Sequence, residues 1–164
     1  MKTFIPKVTP TRHAPSAAMM DWAQRQADVA YARLRLGDEG LETDSNAICA
    51  SRGPVAPHRD TEGVSEGMRV IGLVLRSDGH RLNSDALHDS GCLEGLPLLP
   101  GTLYEIDPLD RHWTTVPNGS VAPELIFTVC VMFPDRRSAK TLAKDMWWTV
   151  LAASIDAMRT SQNT

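Results

Sequence analysis

Between residues 46 and 133 the chain runs as short apolar or alternating stretches, "NAICAS", "RVIGLVL", "TLYEI", "HWTTV" and "ELIFTVCVMF", separated by Gly, Pro, Asn and Asp. Side chains on a strand point to opposite faces with period two, so these stretches predict the half-buried strands of an all-β sandwich or barrel. The flanks have a different period. Ser16 stands before a stripe of Met19, Trp22, Ala23, Ala27, Ala30 and Leu34 that Gly37 brings to a stop, which predicts a capped amphipathic helix over 16–36. The same spacing returns in Leu142, Met146, Trp147, Val150 and Met158, predicting a C-terminal helix over 138–159. Residues 1–15, with Pro6, Pro10 and Pro15, read as an extended arm. No repeat, low-complexity tract or linker divides the 164 residues, so a single domain is expected around a 46–133 β core.

Charge narrows the partners. Seventeen Lys and Arg against twenty Asp and Glu leave a net charge of −3, so no global basic field points to nucleic acid or an anionic membrane. The N-terminus lacks the apolar run of a secretory signal, and no stretch of about 18 apolar residues occurs. Cys49, Cys92 and Cys130 are odd in number and widely spaced, the pattern of a reduced compartment. A soluble, cytoplasmic protein is the expectation.

The segment "PVAPHRDTEG" holds the first candidate chemistry. His58 and Asp60 stand two apart, so on an extended strand both point to one face and can share an ion. Non-heme Fe(II) oxygenase sites need two histidines and one carboxylate on one side of the metal, with three positions left open. His112, opening "HWTTV" on a distant strand, supplies the third ligand. His13 lies in the arm, and His80 and His88 flank the polar stretch "SDGHRLNSDALHDSG", where solvated histidines are ordinary. A kinase loop is excluded, because the residue five after Asp60 is Ser65 rather than Asn and no "DFG" follows. P-loop and dinucleotide-binding glycine patterns are absent as well.

The order "PHRDTEG…RVIGLVLRSDG…LPLLPGTLYEIDPLDRHWTTVPNGS…ELIFTVCVMF" resembles the double-stranded β-helix, or jelly roll, of the Fe(II)/2-oxoglutarate-dependent oxygenases, in its prolyl-hydroxylase-like branch. The resemblance implies a mostly β fold with flanking N- and C-terminal helices and His58, Asp60 and His112 as iron ligands. It also implies 2-oxoglutarate and O₂ as co-substrates, with oxidative decarboxylation to succinate and CO₂. Tyr104 and Thr128 are implied in the co-substrate pocket, and Trp113 as a shield for the metal or as core.

One position departs from that family. Where its last strand opens with an arginine that grips the far carboxylate of 2-oxoglutarate, this chain has Glu124. Arg76 is the compensating candidate, since it stands where the resembling enzymes carry a tyrosine toward the same carboxylate. Simple alternation sets it on the face opposite Arg69, so only one of the two points inward. Arg76 is preferred, Arg69 is next, and in a third arrangement Arg76 pairs with Glu124 and leaves no anchor.

Two other classes compete. A cupin-like metal-binding jelly roll without 2-oxoglutarate chemistry shares the strands and histidines. An interaction protein would use "KDMWWTVL" in the C-terminal helix as a homo-oligomer interface. The substrate is not legible, because the expected specificity loops, 37–45, 77–96 and 117–123, carry no diagnostic motif.

Overall fold

A computed structural model describes residues 3–35, 48–133 and 138–163. Eight strands and three helices are described among them: β1 (Lys7–Pro10), α1 (Ala17–Arg35), β2 (Ile48–Arg52), β3 (Arg69–Ser77), β4 (Arg81–Ser84), α2 (Asp85–Asp89), β5 (Leu96–Pro97), β6 (Thr102–Ile106), β7 (His112–Thr115), β8 (Glu124–Met132) and α3 (Ala139–Gln162). The helix stop read at Gly37 and the loop read at 37–45 lie outside the described residues.

Two antiparallel sheets form a jelly-roll-like arrangement. The larger has the order β1-β6-β3-β8-β2, the smaller β5-β4-β7. Strand alternation divides their apolar residues into two cores. Ile71, Leu73 and Leu75 of β3 and Ile126 of β8 face outward, where they pack against Trp22, Ala23 and Ala27 of α1 and Met146, Trp147 and Val150 of α3. Val70, Val74 and Leu125 face the other way, meeting Leu82 of β4 and Leu98 between the sheets. The helices therefore brace one sheet from outside and leave the space between the sheets to a site.

Both helix starts are capped, the first by Ser16 as the sequence suggests and the last by Ser138, which the apolar spacing does not mark. The Ser16 hydroxyl accepts from Met19 N–H at 3.2 Å, and Ser138 accepts from Thr141 N–H at 3.2 Å. Trp147 and Trp148 divide by face, with Trp147 buried and Trp148 61% exposed. Met158, read on the buried stripe, is 40% exposed near the end of α3. The N-terminal arm is pinned as well as extended. Its β1 pairs with β6, and Thr11 accepts from the Trp147 indole N–H at 3.0 Å while its own hydroxyl donates to the Gly101 carbonyl. No helix among the described residues is long and apolar enough to cross a membrane.

The stretch "SDGHRLNSDALHDSG" differs from its reading as a polar loop. It contains β4 and α2, and His80 is 1% exposed, with its Nε2–H donating to the Gly53 carbonyl at 2.9 Å. His88 bonds through Nε2 to Asn83 Oδ1 at 2.9 Å. Most polar groups here are satisfied: the Asn83 amide donates to Thr115 Oγ1 at 3.1 Å, and Ser84 caps α2 by accepting from Leu87 N–H at 3.0 Å, while His80 Nδ1 has no partner among the described residues. A hydrophobic pattern does not reveal a strand as short as β4, in which buried Asn83 and Ser84 follow a single buried Leu82.

Candidate metal centre

His58 and His112 sit directly opposite each other on an antiparallel bridge, although Pro54 and Pro57 keep this segment from forming a longer ladder. Their backbones exchange both hydrogen bonds, His58 N–H to His112 carbonyl at 3.0 Å and the reverse at 2.9 Å. An opposed pair presents its side chains on one face, and the imidazole centroids lie 4.3 Å apart. Asp60, two residues on, returns to that face while its N–H donates to the Pro108 carbonyl at 2.8 Å. The three ligand atoms all lie within 4.8 Å of one another. Strand alternation brings His58 and Asp60 together, and the pairing of two distant segments adds His112.

The hydrogen bonds decide which nitrogens are offered. Each imidazole Nδ1 is 2.8 Å from the backbone carbonyl two residues before it, Ala56 for His58 and Asp110 for His112. A carbonyl oxygen only accepts, so each Nδ1 carries the proton and each Nε2 of the neutral ring presents a lone pair. Both lone pairs point at one carboxylate: His58 Nε2 is 3.4 Å from one Asp60 oxygen and His112 Nε2 is 3.5 Å from the other. Two imidazoles and a carboxylate gathered in this way could hold a metal ion, and imidazoles oriented through Nδ1 are the usual way a protein prepares Nε2 for a metal. Burial pushes His112 below its ordinary pKa, although the Asp110 carbonyl and the Asp60 charge pull the other way, which favours the neutral ring. Bond lengths of about 2.0–2.2 Å would bring such ligands to roughly 3 Å apart. The two imidazole-to-carboxylate separations exceed that by a few tenths of an ångström and all three ligand atoms lie within 4.8 Å, so the residues present fit a divalent metal after a small closure of the site.

A cavity of about 300 Å³ opens beside the triad, between the two sheets. Tyr104, the one member of the expected co-substrate set found there, lines it, and so does Trp113. Trp113 is half-buried and packs edge-on against His88, so it is a wall of the cavity rather than a part of the main core.

Arg76, Arg69 and Thr128 take other positions. Register explains all three. On β8, Leu125, Phe127 and Val129 face the cavity, and alternation therefore sends Glu124, Ile126 and Thr128 to the helix side. On β3, simple alternation would put Arg76 inward with Val70 and Val74, but a bulge between Val74 and Arg76 inserts one residue and pairs Arg76 with Ile126. Arg76 thus shares the outer face with Arg69, whose guanidinium lies 4.0 Å over the Phe4 ring. Neither arginine reaches the cavity. Thr128 is buried beneath the helices, and its hydroxyl has no partner among the described residues.

Arg76 instead closes a polar clamp between α1 and the sheet. It grips Asp78 through Nε and a terminal nitrogen at 3.3 and 3.1 Å, donates to Gln24 Oε1 at 2.8 Å, and comes within 4.0 Å of Glu124. Glu124 also accepts from Gln24 Nε2 at 3.0 Å, with Arg52 at 3.8 Å. Burial raises the Asp78 carboxyl, but the Glu124 N–H and the Arg76 guanidinium outweigh it and hold the group below its ordinary range. A depressed carboxyl contributes stability that is present above its unfolded value of about 3.9 and lost as pH falls through the folded value. Arg76→Ala is therefore expected to lower the urea midpoint slightly at pH 7, by less than about 1 kcal/mol, with the difference shrinking below about pH 4. Fe(II) affinity should not move. A large loss of Fe(II) binding in this variant would place Arg76 at the site after all.

No protein-family model matches the chain, and no curated protein matches it in sequence. Among solved structures, the non-heme alpha-ketoglutarate-dependent epimerase SnoN from nogalamycin biosynthesis aligns over 77% of this chain and 77% of its own, with 13% identity and a TM-score of 0.44. AviO1 from Streptomyces viridochromogenes Tue57 aligns over 71% of this chain and 86% of its own, with 12% identity and a TM-score of 0.39. At these identities and scores neither likeness carries an activity over to this chain, and its chemistry rests on His58, Asp60 and His112.

Proposed function

We propose that this chain is a non-heme Fe(II)-dependent oxygenase that holds its metal through His58, Asp60 and His112 and acts on a small molecule in the adjoining cavity. The orientation of the two Nε2 lone pairs toward one carboxylate, fixed by Nδ1 hydrogen bonds to backbone carbonyls, carries this reading. Fe(II) in such a three-ligand set supplies redox chemistry at its open positions. The chain's own part is positional. Asp110 and Ala56 hold the imidazole rings, the β7 edge holds the HxD segment, and Trp113, Leu125 and Phe127 give the adjoining cavity apolar walls.

The co-substrate admits two readings, and different observations favour each. The motif order resembling the Fe(II)/2-oxoglutarate oxygenases favours 2-oxoglutarate. Against it, no Lys or Arg lines the cavity among the described residues, and a buried carboxylate without a cationic partner costs several kcal/mol. The metal fits the residues present; the far carboxylate of 2-oxoglutarate does not. The second reading is therefore an Fe(II) enzyme of the same jelly-roll type that works without 2-oxoglutarate.

Anaerobic titration separates them. Fe(II) is expected to bind stoichiometrically, and later addition of 2-oxoglutarate should produce no visible metal-to-ligand charge-transfer band. Appearance of the band restores the 2-oxoglutarate-dependent oxygenase. Failure of Fe(II) to bind removes both readings.

A further inference from the structure

The wall of the cavity, more than its mouth, restricts what can enter. Val70, Leu82, Leu98, Ile106, Leu125 and Phe127 are among its apolar lining residues, and both sheets contribute to them. Its roughly 300 Å³ is at the small end of ligand cavities. Charge is confined to the metal end, where Asp60 sits, and the opposite end is apolar.

Tyr104 differs from the other hydroxyls on that wall, Ser51 and Thr114, which are hydrogen-bonded to the Gly53 carbonyl and the Val55 N–H. Its residue is 7% exposed, its ring lies edge-on to Phe127 with centroids 5.7 Å apart, and its hydroxyl makes no hydrogen bond to any described residue. Space for the phenol exists because its cross-strand partner is Gly72: a Cβ there would fall 2.0 Å from Tyr104 Cε1 and 2.4 Å from the hydroxyl oxygen. A phenol that serves only to fill core would be as well served by Phe, and a buried O–H normally finds a partner. Burial, reinforced by Cys49 and Asp60, pushes the Tyr104 pKa well above its ordinary value, so the group stays a neutral donor.

We infer that the cavity selects an uncharged, largely apolar molecule carrying one hydrogen-bond acceptor, a carbonyl or ether oxygen, to which the Tyr104 hydroxyl donates a hydrogen bond. This rests on the metal reading for its chemistry, because the bound molecule must end near His58, Asp60 and His112 to react. Its shape and polarity requirements rest on the cavity itself. Tyr104 is a binding residue in this scheme: the acceptor oxygen orients the ligand along the apolar wall, and an anionic group is rejected because no Lys or Arg among the described residues lines the cavity to replace its water.

Three naphthalene probes of nearly equal size test this: 2-acetylnaphthalene with an acceptor oxygen, 2-ethylnaphthalene with none, and 2-naphthoate with a carboxylate. They are titrated by fluorescence into chelator-treated protein, so that the carboxylate has no metal to bind. The ketone is expected to bind best and 2-naphthoate at least about tenfold more weakly. Tyr104→Phe, which conserves volume, should cut ketone affinity by about tenfold and leave the hydrocarbon unchanged. The inference is overturned if 2-naphthoate binds as tightly as the ketone, if Tyr104→Phe affects ketone and hydrocarbon alike, or if no probe binds. Fe(II) uptake is measured separately by equilibrium dialysis. Absent uptake with the probe pattern intact removes the metal reading and leaves the cavity inference standing.

Discussion

Replacing His112 by Ala is expected to abolish stoichiometric Fe(II) binding, with affinity falling by at least about a hundredfold, because a three-point site becomes a two-point site. His112 is the most informative ligand to remove. It is 7% exposed and anchored on β7, whereas His58 and Asp60 are more open and lie on a segment joined to β7 mainly by the His58–His112 bridge. Thermal shift gives a second readout. An ion present at a hundred times its dissociation constant stabilises the native parent by about 2.7 kcal/mol, roughly 5–10 °C in a domain of this size. His112→Ala should show no such shift, and neither should Asp60→Ala. In the absence of metal Asp60→Ala should cost little, because its carboxylate faces two lone pairs rather than two donors. Retention of full Fe(II) affinity by His112→Ala would show that the ion, if bound, sits elsewhere.

Gly72→Ala is expected to destabilise the protein by about 2 kcal/mol, lowering the midpoint of thermal unfolding by roughly 4–8 °C. An alanine is ordinarily preferred to glycine in a strand, so the expected sign is opposite to the propensity. The reason is the Tyr104 ring, which occupies the place of the missing Cβ at 2.0–2.4 Å and is held there by Phe127. Displaced, the ring has to turn into the cavity between the sheets and reduce its volume. A double-mutant cycle checks the mechanism. With Tyr104→Ala in the background, which itself opens a void, Gly72→Ala should become neutral or mildly stabilising. If the two changes are additive, the ring is not what the glycine accommodates.

The two rules that made the site legible are local. Positions two apart share a face of a strand, so His58 and Asp60 were bound to point together wherever the segment ran extended, and the helical stripes of α1 and α3 announced a braced sheet in the same way. That His112 stands opposite His58 is a matter of pairing between distant segments. Order along the chain suggested it through the family resemblance, but only the bridge between the two backbones establishes it.

Where the reading failed, a nonlocal cause is identifiable. Alternation counted from Arg69 put Arg76 on the opposite face, and one inserted residue after Val74 reversed that parity, because β3 must follow the register of β8. A bulge leaves no mark in a run such as "RVIGLVLRS", whose apolar residues fit either face. Thr128 was misplaced for a related reason: the period assigns Leu125, Phe127 and Val129 to one side and Glu124, Ile126 and Thr128 to the other, but which side holds the cavity depends on where the helices dock. Buried His80 and Asn83 escaped because their cost of burial is offset by hydrogen bonds to groups remote in sequence, the Gly53 carbonyl and the Thr115 hydroxyl.

Sequence by itself therefore determined the two long amphipathic helices, the Ser16 cap, the main strands of the β core and the convergence of His58 with Asp60, all of which follow from interactions over a few residues, but not β4 and α2. Only the tertiary structure decided which faces of β3 and β8 look into the cavity, and with them the exclusion of both candidate arginines from it. Face assignment depends on strand register and helix docking, which are set by contacts between segments far apart along the chain.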